Sequence, residues 1–169
     1  AADWGVGVEE MICRVMAEES LTCGFRGTPP TSVKVWRQVE EDVMELMSRP
    51  DYMVGSDSIP VGGMPHPRAY GCFVRVLGRL RRRYNYPVEQ VVQRLTQNPA
   101  ERFGLTDRGV IAEGKFADLV IFDAERVIDR SSFEDPQVHP EGVPWVLVNG
   151  QIAVENEAVT GVLAGEAIP

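Results

Sequence analysis

The chain has 169 residues, a formal net charge of −8, 44% hydrophobic and 25% charged residues. Those proportions belong to a globular protein rather than a disordered one. The negative balance argues against nucleic acid or an anionic membrane as partner, because phosphate-rich surfaces are held by clustered cations. One basic run, Arg79-Leu80-Arg81-Arg82-Arg83, reads as a helix face that pairs with nearby acids rather than as an anion site. Cys13, Cys23 and Cys72 form no Cys-x-x-Cys pair, so neither a disulfide framework nor a zinc ribbon is indicated. Reduced thiols in a cytoplasmic protein are the simplest account. No apolar run approaches the roughly 18 residues of a membrane-spanning helix.

Val8, Met11, Ile12, Val15 and Met16 recur at helical spacing and predict an amphipathic helix. Leu21-Thr22-Cys23-Gly24-Phe25 predicts a short buried strand, closed by the loop Gly27-Thr28-Pro29-Pro30. A second helix is expected from about Val35 to Met47, with Val35, Val39, Val43, Leu46 and Met47 facing inward and Pro50 ending it. Tyr52-Met53-Val54-Gly55-Ser56-Asp57 predicts an apolar strand that runs into a Pro/Gly-rich loop from Ser58 to Arg68. Phe73, Leu77, Leu80 and Tyr84 mark a third helix. Pro87 suits the first position of a fourth, with Val88, Val91, Val92 and Leu95 as its stripe. A short last helix is expected with Asn98 as N-cap, Pro99 at its first position and Gly104 as its stop.

Beyond Gly104 the character changes. Phe116 to Asp123 is a β-rich run, and Val146 to Val154 reads as a hairpin around Asn149-Gly150, a pair that accepts the positive φ angles of a type I′ turn.

Helix, strand, helix, strand, helix is the rhythm of parallel βα units, so the fold class expected is α/β. Two strands cannot bury both faces of a parallel sheet, and a closed (β/α)₈ barrel takes about 250 residues. The β-rich tail has too few strands for a closed sandwich. Both parts therefore read as unfinished: residues 1–105 as two βα units of a larger barrel, and residues 106–169 as strands of a small composite β-sandwich. The start at Ala1-Ala2-Asp3-Trp4, without Met, fits a segment of a longer protein.

Chemistry concentrates at the end of the second predicted strand. Asp57 falls where an apolar run meets a polar loop, the place where catalytic groups gather in a barrel. An aspartate there can equally be a turn residue. Gly55 and Ser56 leave space around the carboxylate, and the loop brings His66 and Arg68 near it in sequence. His66 lies between Pro65 and Pro67, which stiffen the loop. With His139 the only other histidine, and no His-x-His or His-Glu-x-x-His spacing, His66 reads as a hydrogen-bonding loop residue rather than a metal ligand. Arg68 is either a surface arginine or a clamp that holds a carboxylate through two parallel N–H···O bonds. No Gly-x-Ser-x-Gly, P-loop or Gly-x-Gly-x-x-Gly motif offers a rival chemistry.

Met53-Val54-Gly55-Ser56-Asp57-Ser58 followed by Pro65-His66-Pro67-Arg68-Ala69-Tyr70-Gly71 resembles the last barrel strand and following loop of the D-aminoacylase family of metal-dependent amidohydrolases. Pro99-Ala100-Glu101-Arg102-Phe103-Gly104-Leu105, Gly114-Lys115-Phe116-Ala117-Asp118-Leu119-Val120-Ile121-Phe122-Asp123 and Val146-Leu147-Val148-Asn149-Gly150 continue the likeness in order. The resemblance implies the C-terminal portion of a (β/α)₈ barrel, its last two βα units, followed by sandwich strands. It implies hydrolysis of N-acyl-D-amino acids, with zinc held mainly by ligands upstream of this chain. It makes Asp57 the catalytic aspartate, able also to contact zinc, and Arg68 the residue that holds the substrate's α-carboxylate. His66 and Ser58 line the same loop as candidate substrate-binding residues. Ser58 departs from the family's usual glycine after Gly-Ser-Asp, which bears on substrate preference.

The partners implied are a small N-acyl amino acid and the N-terminal remainder of the protein, with self-association of this portion when alone. Two other readings stay open: a hydantoinase- or dihydroorotase-like cyclic amidohydrolase, and a non-catalytic module that kept the scaffold.

Overall fold

A computed structural model of the protein describes residues 1–20, 31–59 and 64–168. The strand expected at Leu21–Phe25, the loop after it and the middle of the Ser58–Arg68 loop lie outside the described residues.

Helix α1 (Val8–Glu18) carries the expected apolar stripe, yet none of its residues is buried. Helix α2 (Val33–Ser48) begins at Ser32, whose Oγ accepts the Val35 N–H at 3.2 Å. Of the expected inner face only Met47 is fully buried, with Glu40 and Met44 beside it, whereas Val35, Val39 and Leu46 are exposed. The helix carries two apolar stripes, and only the one that packs with Val76, Leu77, Leu80 and Val91 is covered. At its C-terminus the buried Arg94 donates from Nε to the Met47 carbonyl and from Nη2 to the Arg49 carbonyl, each at 3.0 Å. A cation there satisfies carbonyls that have no partner within the helix and opposes the negative end of its dipole.

Residues 52–59 join no β-ladder, contrary to the strand expected at Tyr52–Asp57. A parallel strand needs a neighbour to complete its hydrogen bonds, and none lies beside this segment among the described residues. Helices hold it instead. The Val54 N–H donates to the Arg94 carbonyl at 3.3 Å, and Asn98 Nδ2 donates to the carbonyls of Pro50 and Tyr52 at 2.8 and 2.6 Å.

Helix α3 (Arg68–Arg75) starts earlier than its apolar spacing suggests, continues through a π-helical stretch (Val76–Leu80) and ends in α4 (Arg81–Arg83). The π stretch lies where backbone meets backbone. A Cβ on Gly78 would come within 2.3 Å of the Val127 carbonyl oxygen, and one on Gly142 within 2.6 Å of the Val127 nitrogen. Val127 is fully buried between the two glycines.

Helix α5 (Val88–Leu95) forms where expected, but Pro87, placed at its first position by the sequence reading, is its N-cap. The last helix, α6 (Gln97–Arg102), starts at Thr96 rather than Asn98, because the Asn98 side chain is engaged with the 50–52 segment instead of capping. Gly104 does stop it, at φ +70°, with Leu105 N–H to Ala100 O and Gly104 N–H to Glu101 O closing a Schellman motif.

The tail forms one antiparallel sheet in the order β1 (Leu119–Ile121), β2 (Trp145–Val148), β3 (Gln151–Glu155), β4 (Ala158–Val159). Val148 pairs with Gln151 across Asn149 and Gly150, both at positive φ, as the hairpin reading requires. A second tight turn, Asn156-Glu157, also at positive φ, adds β4, which the sequence reading did not anticipate. The core joins both parts of the chain: Met44, Met47, Val76, Leu77, Leu80 and Val91 pack with Val127 and Val143.

The arginine run is fully engaged. Arg75 and Arg79 both pair with Asp129, Arg81 and Arg82 bind the Ala124 carbonyl, and Arg83 pairs with Glu40. This is the structural pairing expected of a helix face.

Candidate active site

Asp57 closes the 52–57 segment with φ +48°, a left-handed conformation that aspartate tolerates because its short side chain bonds locally. Its side chain is 87% exposed, and Arg68 Nη1 stands 3.1 Å from Oδ2. The two residues singled out by the motif thus meet directly.

Arg68 is the first residue of α3, and the N-cap position is Pro67, which has no side-chain acceptor to offer. His66 takes that role: its Nδ1 accepts the Arg68 N–H at 3.1 Å. Burial, and then the Arg68 charge, hold the His66 imidazole below its ordinary pKa, so the neutral ring keeps Nδ1 as an acceptor. The same ring meets Phe133 edge-on, with centroids 5.0 Å apart and planes at 81°. Arg68 Nε is shut off from solvent without an acceptor, which leaves the Nη edge as the working face of the guanidinium. Asp57 occupies part of that face.

Ser58 Oγ accepts from Ser56 Oγ at 3.1 Å, and the Ser58 N–H points at the same Ser56 oxygen at 3.4 Å. The extra hydroxyl relative to the usual glycine therefore builds the loop's own turn. Cys72 Sγ lies 3.8 Å from the Gly55 carbonyl, tying α3 to the Asp57 segment, and burial pushes the thiol pKa up. It is a packed thiol, not a nucleophile. His139, from the chain's tail, meets Tyr70 of α3 edge-on with centroids 5.6 Å apart.

Spacing arguments reached Asp57, His66 and Arg68 because all three lie within one short loop. They missed Asp129, Ser131 and Phe133, which arrive from more than fifty residues away. Gly71 was the one sequence sign of that approach: a Cβ there would sit 2.4 Å from Ser131 Oγ. Among the described residues no three His, Cys, Asp or Glu side chains converge as a metal centre requires. The site as described does not by itself fit a zinc ion.

The loop thus brings together an exposed carboxylate, an arginine paired with it and a proline-framed histidine. The chain belongs to the amidohydrolase family, which it matches over residues 17–154. Within that family it is similar to the D-aminoacylase of Alcaligenes xylosoxydans xylosoxydans, 41% identical over 130 residues that make up 76% of this chain and 27% of the relative. A crystal structure of D-aminoacylase aligns with a TM-score of 0.69 at 40% identity, covering 74% of this chain and 27% of that one. The N-acyl-D-glutamate deacylase of Bordetella bronchiseptica, complexed with zinc and a phosphonate mimic of the reaction's tetrahedral intermediate, aligns with a TM-score of 0.63 at 42% identity. That alignment covers 67% of this chain and 24% of the deacylase. This chain spans about a quarter of the length of these relatives.

Proposed function

We propose that the chain supplies the C-terminal part of a zinc-dependent deacylase that hydrolyses N-acyl-D-amino acids to a carboxylate and a D-amino acid. Residues 1–105 then form the last two βα units of a (β/α)₈ barrel, and residues 106–169 the C-terminal strands of a β-sandwich. The observation that carries the reading is the 3.1 Å pair between Asp57 and Arg68 at the mouth of the Pro-His-Pro-Arg loop.

Each residue has a task in that reaction. Asp57, open to solvent, takes a proton from the attacking water and returns it to the departing amine nitrogen. Arg68 turns its Nη edge to the α-carboxylate of the substrate, with Asp57 held alongside so that amide and proton carrier are in register. His66 fixes the backbone of Arg68, and Ser58 shapes the loop wall. The zinc ligands would come from the rest of the protein, and Asp57 is the carboxylate of this loop that would contact the ion.

The test is Arg68→Met in the intact protein, assayed on an N-acyl-D-amino acid and on the matching N-acyl amine without a carboxylate. Abandoning a charged partner typically costs about 30- to several-thousand-fold in kcat/KM. Arg68 is partly exposed, so the lower end is expected for the acid substrate, with a much smaller loss on the amine. Lys is a poor substitute, because a point charge lacks the planar fork. Equal losses on both substrates would reduce Arg68 to a scaffold residue.

A further inference from the structure

The segment between β1 and β2 reaches across to α3, touching the turn before it and the helix from its last residue onward. Asp129, with a side chain only 4% exposed, pairs with Arg75 at 3.2 Å and with Arg79. Ser131 Oγ donates to the Pro67 carbonyl at 3.0 Å, in the space that Gly71 leaves by lacking a Cβ. Phe133 stands edge-on to the His66 ring. Contacts of this kind fix a loop only when they act together, and here they bracket the Pro-His-Pro-Arg turn from its carbonyl, its ring and its following helix.

Phe133 is 42% exposed and lies outside the hydrophobic core. Its ring stands perpendicular to the imidazole whose Nδ1 holds the Arg68 N–H. Turning that ring out of plane removes the acceptor from the first N–H of α3, which has no side-chain cap of its own. The guanidinium on the same residue then loses its fixed origin.

We propose that the β1–β2 segment is a positioning element for recognition of the substrate's carboxylate, with Phe133 acting through His66 on Arg68. The tail domain thereby sets part of the specificity of a site built on the barrel. The proposal rests on the assignment of Arg68 to the substrate carboxylate.

The experiment compares Phe133→Ala, Phe133→Leu and Phe133→Tyr in the intact protein on the acid and amine substrates, with Arg68→Met in parallel. An aromatic pair of this geometry supports an effect of about three- to tenfold. Phe133→Ala and Phe133→Leu should raise KM for the acid substrate by that factor with kcat nearly unchanged, leave the amine substrate alone, and be rescued by Phe133→Tyr. Phe133→Leu keeps most of the bulk and decides the matter where the alanine variant melts early. Losses of equal size on both substrates, or no change in KM, overturn the proposal. If Arg68→Met separates the two substrates while the Phe133 variants do not, the positioning role fails and the function stands. If Arg68→Met does not separate them, the reading of Arg68 fails and this proposal goes with it.

Discussion

In the proposed role of proton carrier, Asp57 must be reachable and must be held in place. Its carboxylate is open to solvent while Arg68 anchors one oxygen and a left-handed backbone fixes its departure from the chain. Asp57→Asn keeps the shape and cannot carry the proton. Turnover of the intact enzyme should fall by about 10²- to 10⁴-fold, with metal content close to normal by elemental analysis. A near-native kcat in that variant would place the base elsewhere. The local half of this site could be read in the sequence, since Asp57, His66 and Arg68 share one loop with two prolines to hold it. Phe133 could not, because nothing in its immediate neighbours marks an exposed phenylalanine as the partner of a histidine 67 residues away.

At the scale of elements, α2 and the α3–α4 helix are joined through Glu40. This buried carboxylate accepts from Trp36 Nε1 at 3.1 Å, from Arg37 Nη1 at 3.0 Å, from Tyr84 Oη at 3.3 Å and from Arg83. Burial pushes its pKa up, but the bond from Arg83, aided by Trp36 and Arg37, outweighs it and the net direction is down. A carboxyl with a lower pKa folded than unfolded binds fewer protons in the native state. Its stabilisation is complete above the unfolded value of about 4.3 and disappears as pH falls through the lowered one. Glu40→Gln should therefore flatten the acid side of the melting-temperature profile of the intact protein below about pH 4.3. A variant with the native acid profile would show that Glu40 contributes nothing there. Elements set by local chemistry were legible: α5 behind Pro87, the stop at Gly104, the Asn149-Gly150 hairpin. The 52–57 segment was not, because apolar residues announce a strand while only a neighbour supplies its ladder. The buried stripe of α2 was not either, since its two apolar faces are indistinguishable until one meets α3.

For the whole molecule the decisive quantity is surface. The chain exposes 11815 Å², whereas a folded monomer of this length exposes about 8,300 Å². Large apolar side chains contribute to it: Val8, Ile12 and Met16 on α1, Val33, Val35, Trp36 and Val39 on α2, and Ile111, Val120 and Leu163 in the tail are all exposed. In the proposal the rest of the barrel and sandwich covers these side chains. Residues 1–169 expressed alone should consequently self-associate at micromolar concentration, exposing a sheet edge and helix faces to one another. Sedimentation velocity checks this, and a monodisperse monomer with a sharp cooperative melt would contradict it. The same preparation should show no amidase activity and no tight zinc, because no three ligating side chains converge among its described residues. Stoichiometric zinc in the isolated chain, lost on Asp57→Ala, would mean that the metal centre is built from this part of the protein after all, and the division of labour between Asp57 and upstream ligands would have to be redrawn.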